Sequence, residues 1–203
     1  MFIKEGINAS PGIAIAKAHV YEKCAVEINH SKVGDTQSEV EKFQEAITES
    51  RKQIEAIQAK AIRELGEEEA AIFGAHIMVL EDPEFVDGVE AEINENQWSA
   101  DYAVKLVTDR FYLIFDQMDD PYFSARAADI KDVGNRVLLN ILGIVQSDLS
   151  QLEEDVIIIA DDLTPSDTAQ MDKSRVKGFA TNIGSRTSHT AIMARSMEIP
   201  AVL

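Results

Sequence analysis

The spacing of apolar residues changes twice along the chain, and each change marks a change of architecture. Near the start, Gly12-Ile13-Ala14-Ile15-Ala16-Lys17-Ala18-His19-Val20-Tyr21 alternates as strands do, with Phe2-Ile3 as a second short strand and Ser10-Pro11-Gly12 as the turn between them. From Val40 the period lengthens. Val40, Phe43, Ile47, Ile54, Ile57, Ala61 and Leu65 recur in steps of three, four or seven, which predicts one face of a long helix. Asp35 or Thr36 can cap its start and Gly66 can end it.

A second helix is predicted over Glu67 to Leu80, and Asp82-Pro83 breaks it. A short amphipathic piece follows from Pro83 to about Asn94. Ser99 can cap a third long helix carrying Ala103, Leu106, Val107, Phe111 and Ile114. Asp120-Pro121 restarts the chain, and Ala127, Ile130, Gly134, Val137 and Ile141 mark a fourth. Four long helices on short connections predict a bundle.

After Gly143 the period changes back. Val156-Ile157-Ile158-Ile159-Ala160 is a short continuous apolar run, as expected of a fully buried strand. Thr164-Pro165-Ser166-Asp167 reads as a helix start: hydroxyl cap, Pro in the first turn, then an acid. Gly178–Thr181 and Pro200–Leu203 predict further short strands around a helix that opens near residue 188. Strands at both ends thus bracket a helical middle. The expected fold is an α/β domain built from residues 1–32 and 144–203, with a four-helix bundle, residues 33–143, inserted into it.

Composition narrows the class. The chain has 203 residues, 45% hydrophobic and 27% charged, enough to build a core. No apolar run approaches the roughly 20 residues that span a bilayer, and MFIKEGINAS lacks the apolar centre of a signal peptide, so a cytoplasmic location without membrane insertion is expected. Cys24 is the single cysteine, which excludes an internal disulfide. Net charge is −17, and Val33–Asp120 holds 22 Asp/Glu against 7 Lys/Arg, a balance of −15. Such a field repels nucleic acid and attracts basic proteins. Charge alone leaves two readings, a solubilising face or a docking surface.

Candidate chemistry concentrates in Gly184-Ser185-Arg186-Thr187-Ser188-His189-Thr190-Ala191-Ile192-Met193-Ala194-Arg195. The four histidines are far apart and none sits in a metal-binding pattern. There is no nucleophile elbow, no phosphate loop and no dinucleotide fingerprint. His189 itself can act as a nucleophile, because a neutral imidazole attacks phosphorus near neutral pH. The phosphoramidate formed would carry negative charge and acceptor oxygens. A helix N-terminus, the hydroxyls of Thr187, Ser188 and Thr190, the charges of Arg186 and Arg195 and the close backbone approach allowed by Gly184 can all serve that group. The same residues also fit an ordinary helix cap above a packed Ile192 and Met193. The residues alone leave both readings open.

The segment resembles the phosphohistidine signature of phosphoenolpyruvate-utilising enzymes, G-[GA]-x-[STN]-x-H-[STA]-[STAV]-[LIVM]-[LIVM]-[STA]-[RG], and departs from it only at Ser185. ASPGIAIAKA, AIFGAHIMVLEDPE, ARAADIKDVGNRVLLNILG and DDLTPSDTAQM extend the likeness over essentially the whole chain, which resembles the N-terminal part of the enzyme I family of the bacterial phosphotransferase system. The resemblance implies a swivelling α/β phosphohistidine domain with an inserted helical domain. It implies that His189 takes a phosphoryl group from phosphoenolpyruvate and passes it to the histidine of the carrier HPr, and that the Thr168 hydroxyl orients His189. It places HPr contacts at Glu67, Glu68, Ile72, His76, Met78, Val79, Asp82, Glu84 and Arg126, and so favours the docking reading of the acidic region.

Family members continue into a barrel domain that binds phosphoenolpyruvate and Mg2+ and forms a homodimer. The chain is therefore expected to be a truncated fragment, monomeric and without a metal of its own, that exchanges phosphoryl groups only with HPr. Two rival readings are the phosphohistidine domain of a pyruvate dikinase and a non-catalytic helical binding module. Glu69 stands where some members carry a Lys beside the threonine–histidine pair, and either accepts a hydrogen bond there or takes no part.

Overall fold

The computed structural model describes residues 5–24, 26, 28, 30–145, 149–186 and 188–203, with the backbone alone for 121–125. The expected Phe2-Ile3 strand and Thr187 lie outside the described residues. The chain divides into two compact units. One comprises Met1–Cys24, Ala59–Ala70 and Ser147–Leu203, the other Ala25–Gln58 and Ala71–Gln146.

The first unit is built on a five-stranded sheet. Its strands are β1 (Asn8–Ser10), β2 (Lys17–Tyr21), β3 (Val156–Ala160), β4 (Val176–Thr181) and β5 (Ala201–Val202), in the order β1-β5-β4-β3-β2. All neighbours are parallel except β1 against β5. The register places Ile158 beside Phe179, and Phe179 beside Ala201, in a row of buried side chains across the sheet. Helix α6 (Pro165–Gln170) joins β3 to β4, and α7 (His189–Ser196) joins β4 to β5. Parallel crossovers of this kind are right-handed, so two made in the same direction put both helices on one face of the sheet. Their N-termini then open at the carboxyl ends of β3 and β4, where α/β sheets bind ligands.

Two strand expectations are corrected. The strand expected over Gly12–Tyr21 covers only Lys17–Tyr21, with a bend at Ala16 directly before it. Gly12 has φ +143°, and a Cβ there would lie 2.6 Å from Pro200 Cγ, so only glycine fits this close approach. β3 is not buried on both sides: Val156, Ile158 and Ala160 are buried, whereas Ile159 faces solvent. It is a one-sided strand.

The helical unit is formed by α1 (Thr36–Glu64, up to Gln58), α2 (Glu67–Leu80, from Ala71), α3 (Pro83–Asn94), α4 (Ala100–Asp116) and α5 (Pro121–Leu142). The expected amphipathic piece is thus a full helix, started by Asp82, whose Oδ1 accepts from Glu84 N at 2.8 Å. The core is filled by Phe43, Ile54, Phe73, Phe85, Val89, Ile93, Val104, Val107 and Val137. Close approach of α4 to α5 depends on Gly134, where a Cβ would lie 2.3 Å from Thr108 Oγ1. Ser99 stands at the start of α4 without a side-chain cap bond; Glu39 from α1 supplies the acceptor for Ala100 N instead, at 2.8 Å.

The domain boundaries also differ from those expected. Residues from Ala25 group with the helices, and Ala59–Ala70 group with the sheet. Side-chain chemistry explains the second change. Lys60 Nζ donates to the carbonyls of Gln170 and Met171, Lys173 Nζ donates to the Glu64 carbonyl, and Ser196 Oγ donates to Glu69 Oε1. No helix among the described residues is long and apolar enough to cross a membrane.

Candidate active site

His189 is the first residue of α7, and Ser188 is its N-cap. Ser188 Oγ accepts from Ala191 N at 3.3 Å and donates to the Ser185 carbonyl at 2.9 Å. The cap reading of this serine is therefore realised. It does not compete with chemistry at the next residue, because the first turn of any helix presents N–H groups that have no intrahelical acceptor. His189 is half-buried, with its Nε2 atom covered.

The turn before it is shaped by Gly184. Its φ is +148°, and a Cβ would meet Leu203 Cδ1 at 2.8 Å. Ser185, the departure from the family signature, is exposed and is not among the non-glycine residues with positive φ, which among the described residues are Gln97 and Glu198. A side chain there adds no backbone strain.

Three expected phosphoryl ligands are engaged elsewhere. Thr190 is buried, and its hydroxyl donates to the Leu163 carbonyl at 2.9 Å. Arg195 lies in the last turn of α7, six residues and about 9 Å along the axis from His189. Its Nη1 donates to the carbonyls of Ala9 (2.9 Å) and Arg186 (3.1 Å), so it braces β1 and the loop rather than facing the histidine. Ser188 directs its hydroxyl proton into the turn, as described above. Gly184 and the exposed Arg186 remain at the open end of the loop.

Thr168 sits on α6, fully buried at 0% exposure. Its hydroxyl donates to the carbonyl of Pro165 (3.0 Å) or Thr164 (3.2 Å). A hydroxyl so engaged keeps its lone pairs for accepting. Helix α6 starts with a capping box: Thr164 Oγ1 accepts from Asp167 N at 3.2 Å, and Asp167 Oδ2 accepts from Thr164 N at 2.9 Å.

Two contacts had no sequence expectation or only an open one. Tyr21, at the end of β2, donates its hydroxyl to Asp167 Oδ1 at 2.8 Å, and Lys23 Nζ lies 3.7 Å from Oδ2. Glu69 accepts from Ser196 Oγ at 2.6 Å. That hydrogen bond, with a second to its own backbone N–H, holds the Glu69 carboxyl below the usual carboxylate range against the opposing effect of burial, with help from Lys173.

On the helical unit, the expected carrier contacts divide by helix face. Met78 is 73% exposed, Glu84 is exposed, and Ile72, Val79, Asp82 and Arg126 are half-buried. Arg126 Nη1 pairs with Asp129 Oδ2 at 3.1 Å. His76 is corrected: at 1% exposure it is a core residue, edge-on to Phe73, with Nε2 3.7 Å from Asp129 and Nδ1 4.0 Å from Asp132. The spacing Phe73, His76, Leu80 places it on the buried stripe. In the sheet unit, Glu67 and Glu68 open α2 and are exposed.

A small, mostly parallel sheet carrying a histidine at a helix N-terminus, with a helical bundle inserted in the chain, is the architecture that known proteins share with this chain. Residues 5–126 match the N-terminal domain of PEP-utilising enzymes and residues 152–203 match their mobile domain. The chain belongs to the PEP-utilising enzyme family. It is 47% identical over 199 residues to the phosphoenolpyruvate-protein phosphotransferase of Bacillus subtilis, covering 98% of this chain and 35% of that protein. The Enterococcus faecalis protein of the same name is 47% identical over 200 residues, again covering 98% of the chain and 35% of the relative. The chain thus spans about a third of the length of these relatives. The NMR solution structure of Enzyme I (nEIt) superposes with a TM-score of 0.85 at 49% identity, covering 98% of this chain and 82% of the other. A structure of the N-terminal domain of Enzyme 1 – Nitrogen gives 0.68 at 26% identity, with coverages of 97% and 81%.

Proposed function

We propose that His189 is a phosphoryl relay: in the whole protein it accepts a phosphoryl group from phosphoenolpyruvate and delivers it to a histidine of HPr. The observation that carries the reading is the placement of His189 as first residue of α7. That position lies in the region matched to the mobile domain of PEP-utilising enzymes. In the first step an imidazole nitrogen attacks phosphorus, an N–P bond forms, the P–O bond to the enol oxygen breaks, and the enolate takes a proton to become pyruvate. In the second step the N–P bond breaks as the HPr imidazole attacks from the opposite side. Nε2 is covered in the present conformation, so transfer through that nitrogen requires rotation of the ring.

Little covalent assistance is needed in such a transfer; alignment and charge stabilisation dominate. The first-turn N–H groups of α7 and the exposed Arg186 would stabilise the transferring group, and Thr168 would accept from the imidazole N–H and set the ring. Among the described residues no group of three or more His, Cys, Asp or Glu is arranged to hold a metal ion. On the family resemblance, the Mg2+ and phosphoenolpyruvate sites are assigned to parts of the longer proteins that this chain does not span. In the helical unit, the outward side of α2 and the start of α3, with Ile72, Met78, Val79, Asp82 and Glu84, would meet a basic carrier. Glu67 and Glu68 would contribute acidic charge from the first turn of α2. The same proposal includes a cytoplasmic location, a monomer for this chain and a homodimer for the longer protein. The pyruvate dikinase alternative is less well supported, since the relatives named above are phosphoenolpyruvate-protein phosphotransferases.

The test is incubation with phosphorylated HPr while the histidine ring signals are followed by NMR. A phosphoramidate on His189 that disappears in His189→Ala is expected. A phosphoramidate that survives this substitution sinks the proposal. Binding of HPr with no transfer would favour the docking-module reading.

A further inference from the structure

We propose that Tyr21 and Asp167 are positioning residues for phosphoryl transfer at His189, and that the buried hydrogen bond between them sets α6, and through it the start of α7, on the sheet. The inference rests on the reading of His189 as the phosphoryl acceptor.

Helix α6 has six residues, too few to be stable alone. Its geometry depends on what holds its ends. Asp167 is the pivot: 6% exposed, it uses one carboxylate oxygen inside the capping box and the other to accept from Tyr21. Tyr21 is 4% exposed and ends β2, in register with Ala160 at the end of β3. The bond therefore ties the carboxyl edge of the sheet to the first turn of α6. A buried carboxylate without such donors would be costly, which makes this arrangement specific to one placement of the helix.

Two further bonds carry that placement to the site. The next residue, Thr168, is fully buried and fixed by its own bonds to the Pro165 and Thr164 carbonyls. The residue before the cap, Leu163, accepts from Thr190, the neighbour of His189, across the α6–α7 contact. Moving Asp167 thus moves both the threonine and the turn that carries the histidine. Neither Tyr21 nor Asp167 needs to touch the phosphoryl group to do this.

Tyr21→Phe in the 203-residue chain tests it, because the ring still fills its space while Asp167 loses a donor. With phosphorylated HPr as donor, kcat is expected to fall about tenfold with KM changed by less than about twofold, since small misplacements act on the transfer step. The ring nitrogen signals of His189 in the unphosphorylated protein should shift as well. Ile158→Val, in the same sheet but outside the network, is the control: it lowers the melting temperature and should change neither kcat nor the ring signals. Parental kcat and unmoved ring signals in Tyr21→Phe would overturn the proposal, as would an equal kcat loss in the control. Should Tyr21→Phe fail to fold, Asp167→Asn gives the same readouts. If the parent itself takes no phosphoryl group, the transfer reading fails, and the ring signals still decide whether Tyr21 positions His189.

Discussion

Replacing Ser196 by Ala removes the hydroxyl that donates to Glu69 and leaves the backbone of α7 intact. Hydrogen bonds to a charged group contribute about 1.5–3 kcal/mol. Both residues are half-buried, so solvent screening reduces this to about 1 kcal/mol. For a chain of this length that corresponds to a fall in Tm of about 2–4 °C. The clean measurement is a double-mutant cycle of Ser196→Ala, Glu69→Ala and the pair, by urea unfolding. The Glu69 carboxyl is held below its ordinary range chiefly by the Ser196 hydroxyl. Its contribution is therefore complete above the unfolded value of about 4.3 and is lost as pH falls through the lower folded value. The coupling should be about 1 kcal/mol at neutral pH and smaller at about pH 3.5. Measurements near the isoelectric point, pI ≈ 4.5, are best avoided because solubility is lowest there. A coupling below about 0.3 kcal/mol at neutral pH, or one that grows on acidification, would refute the reasoning.

Two other substitutions test the fold at single atoms. Gly184→Ala places a methyl 2.8 Å from Leu203 Cδ1 at φ +148°, and should cost about 1–3 kcal/mol in thermal unfolding while slowing phosphorylation of His189. Thr108 Oγ1 is buried without a hydrogen-bond partner between α4 and α5, so Thr108→Val should raise stability by about 1 kcal/mol; a lower Tm would contradict this.

Local signals in the sequence were legible where a few adjacent residues decide the structure. Thr164-Pro165-Ser166-Asp167 specifies the start of α6 and its hydroxyl cap, because every group involved lies within four residues. The helix ends at Gly66 and Asp82-Pro83 were legible for the same reason. Pairings between distant parts of the chain were not. β1 is a strand because Asn8–Ser10 lies against β5, some 190 residues away, and nothing in its own three residues announces this. The ties of Tyr21 to Asp167 and of Ser196 to Glu69 are equally non-local.

At the candidate site, the histidine, its helix and its loop glycine were placed by the sequence pattern, whereas the hydroxyl roles were not. Serine and threonine near a helix start can serve a ligand or the backbone with the same chemistry. Only the positions of the Ser185 and Leu163 carbonyls decide that Ser188 and Thr190 serve the backbone. His76 differs for another reason: family likeness assigned it to a docking surface, whereas in this chain it is buried edge-on to Phe73.

The central claim is that His189 is the residue that carries phosphorus. The most direct measurement is intact-mass and peptide-fragmentation analysis after exposure to phosphorylated HPr, kept alkaline because phosphoramidates hydrolyse in acid. One phosphoryl increment located on His189, and none in His189→Gln, is predicted. An increment located on any other residue, or none in a chain shown to bind HPr, would contradict the account.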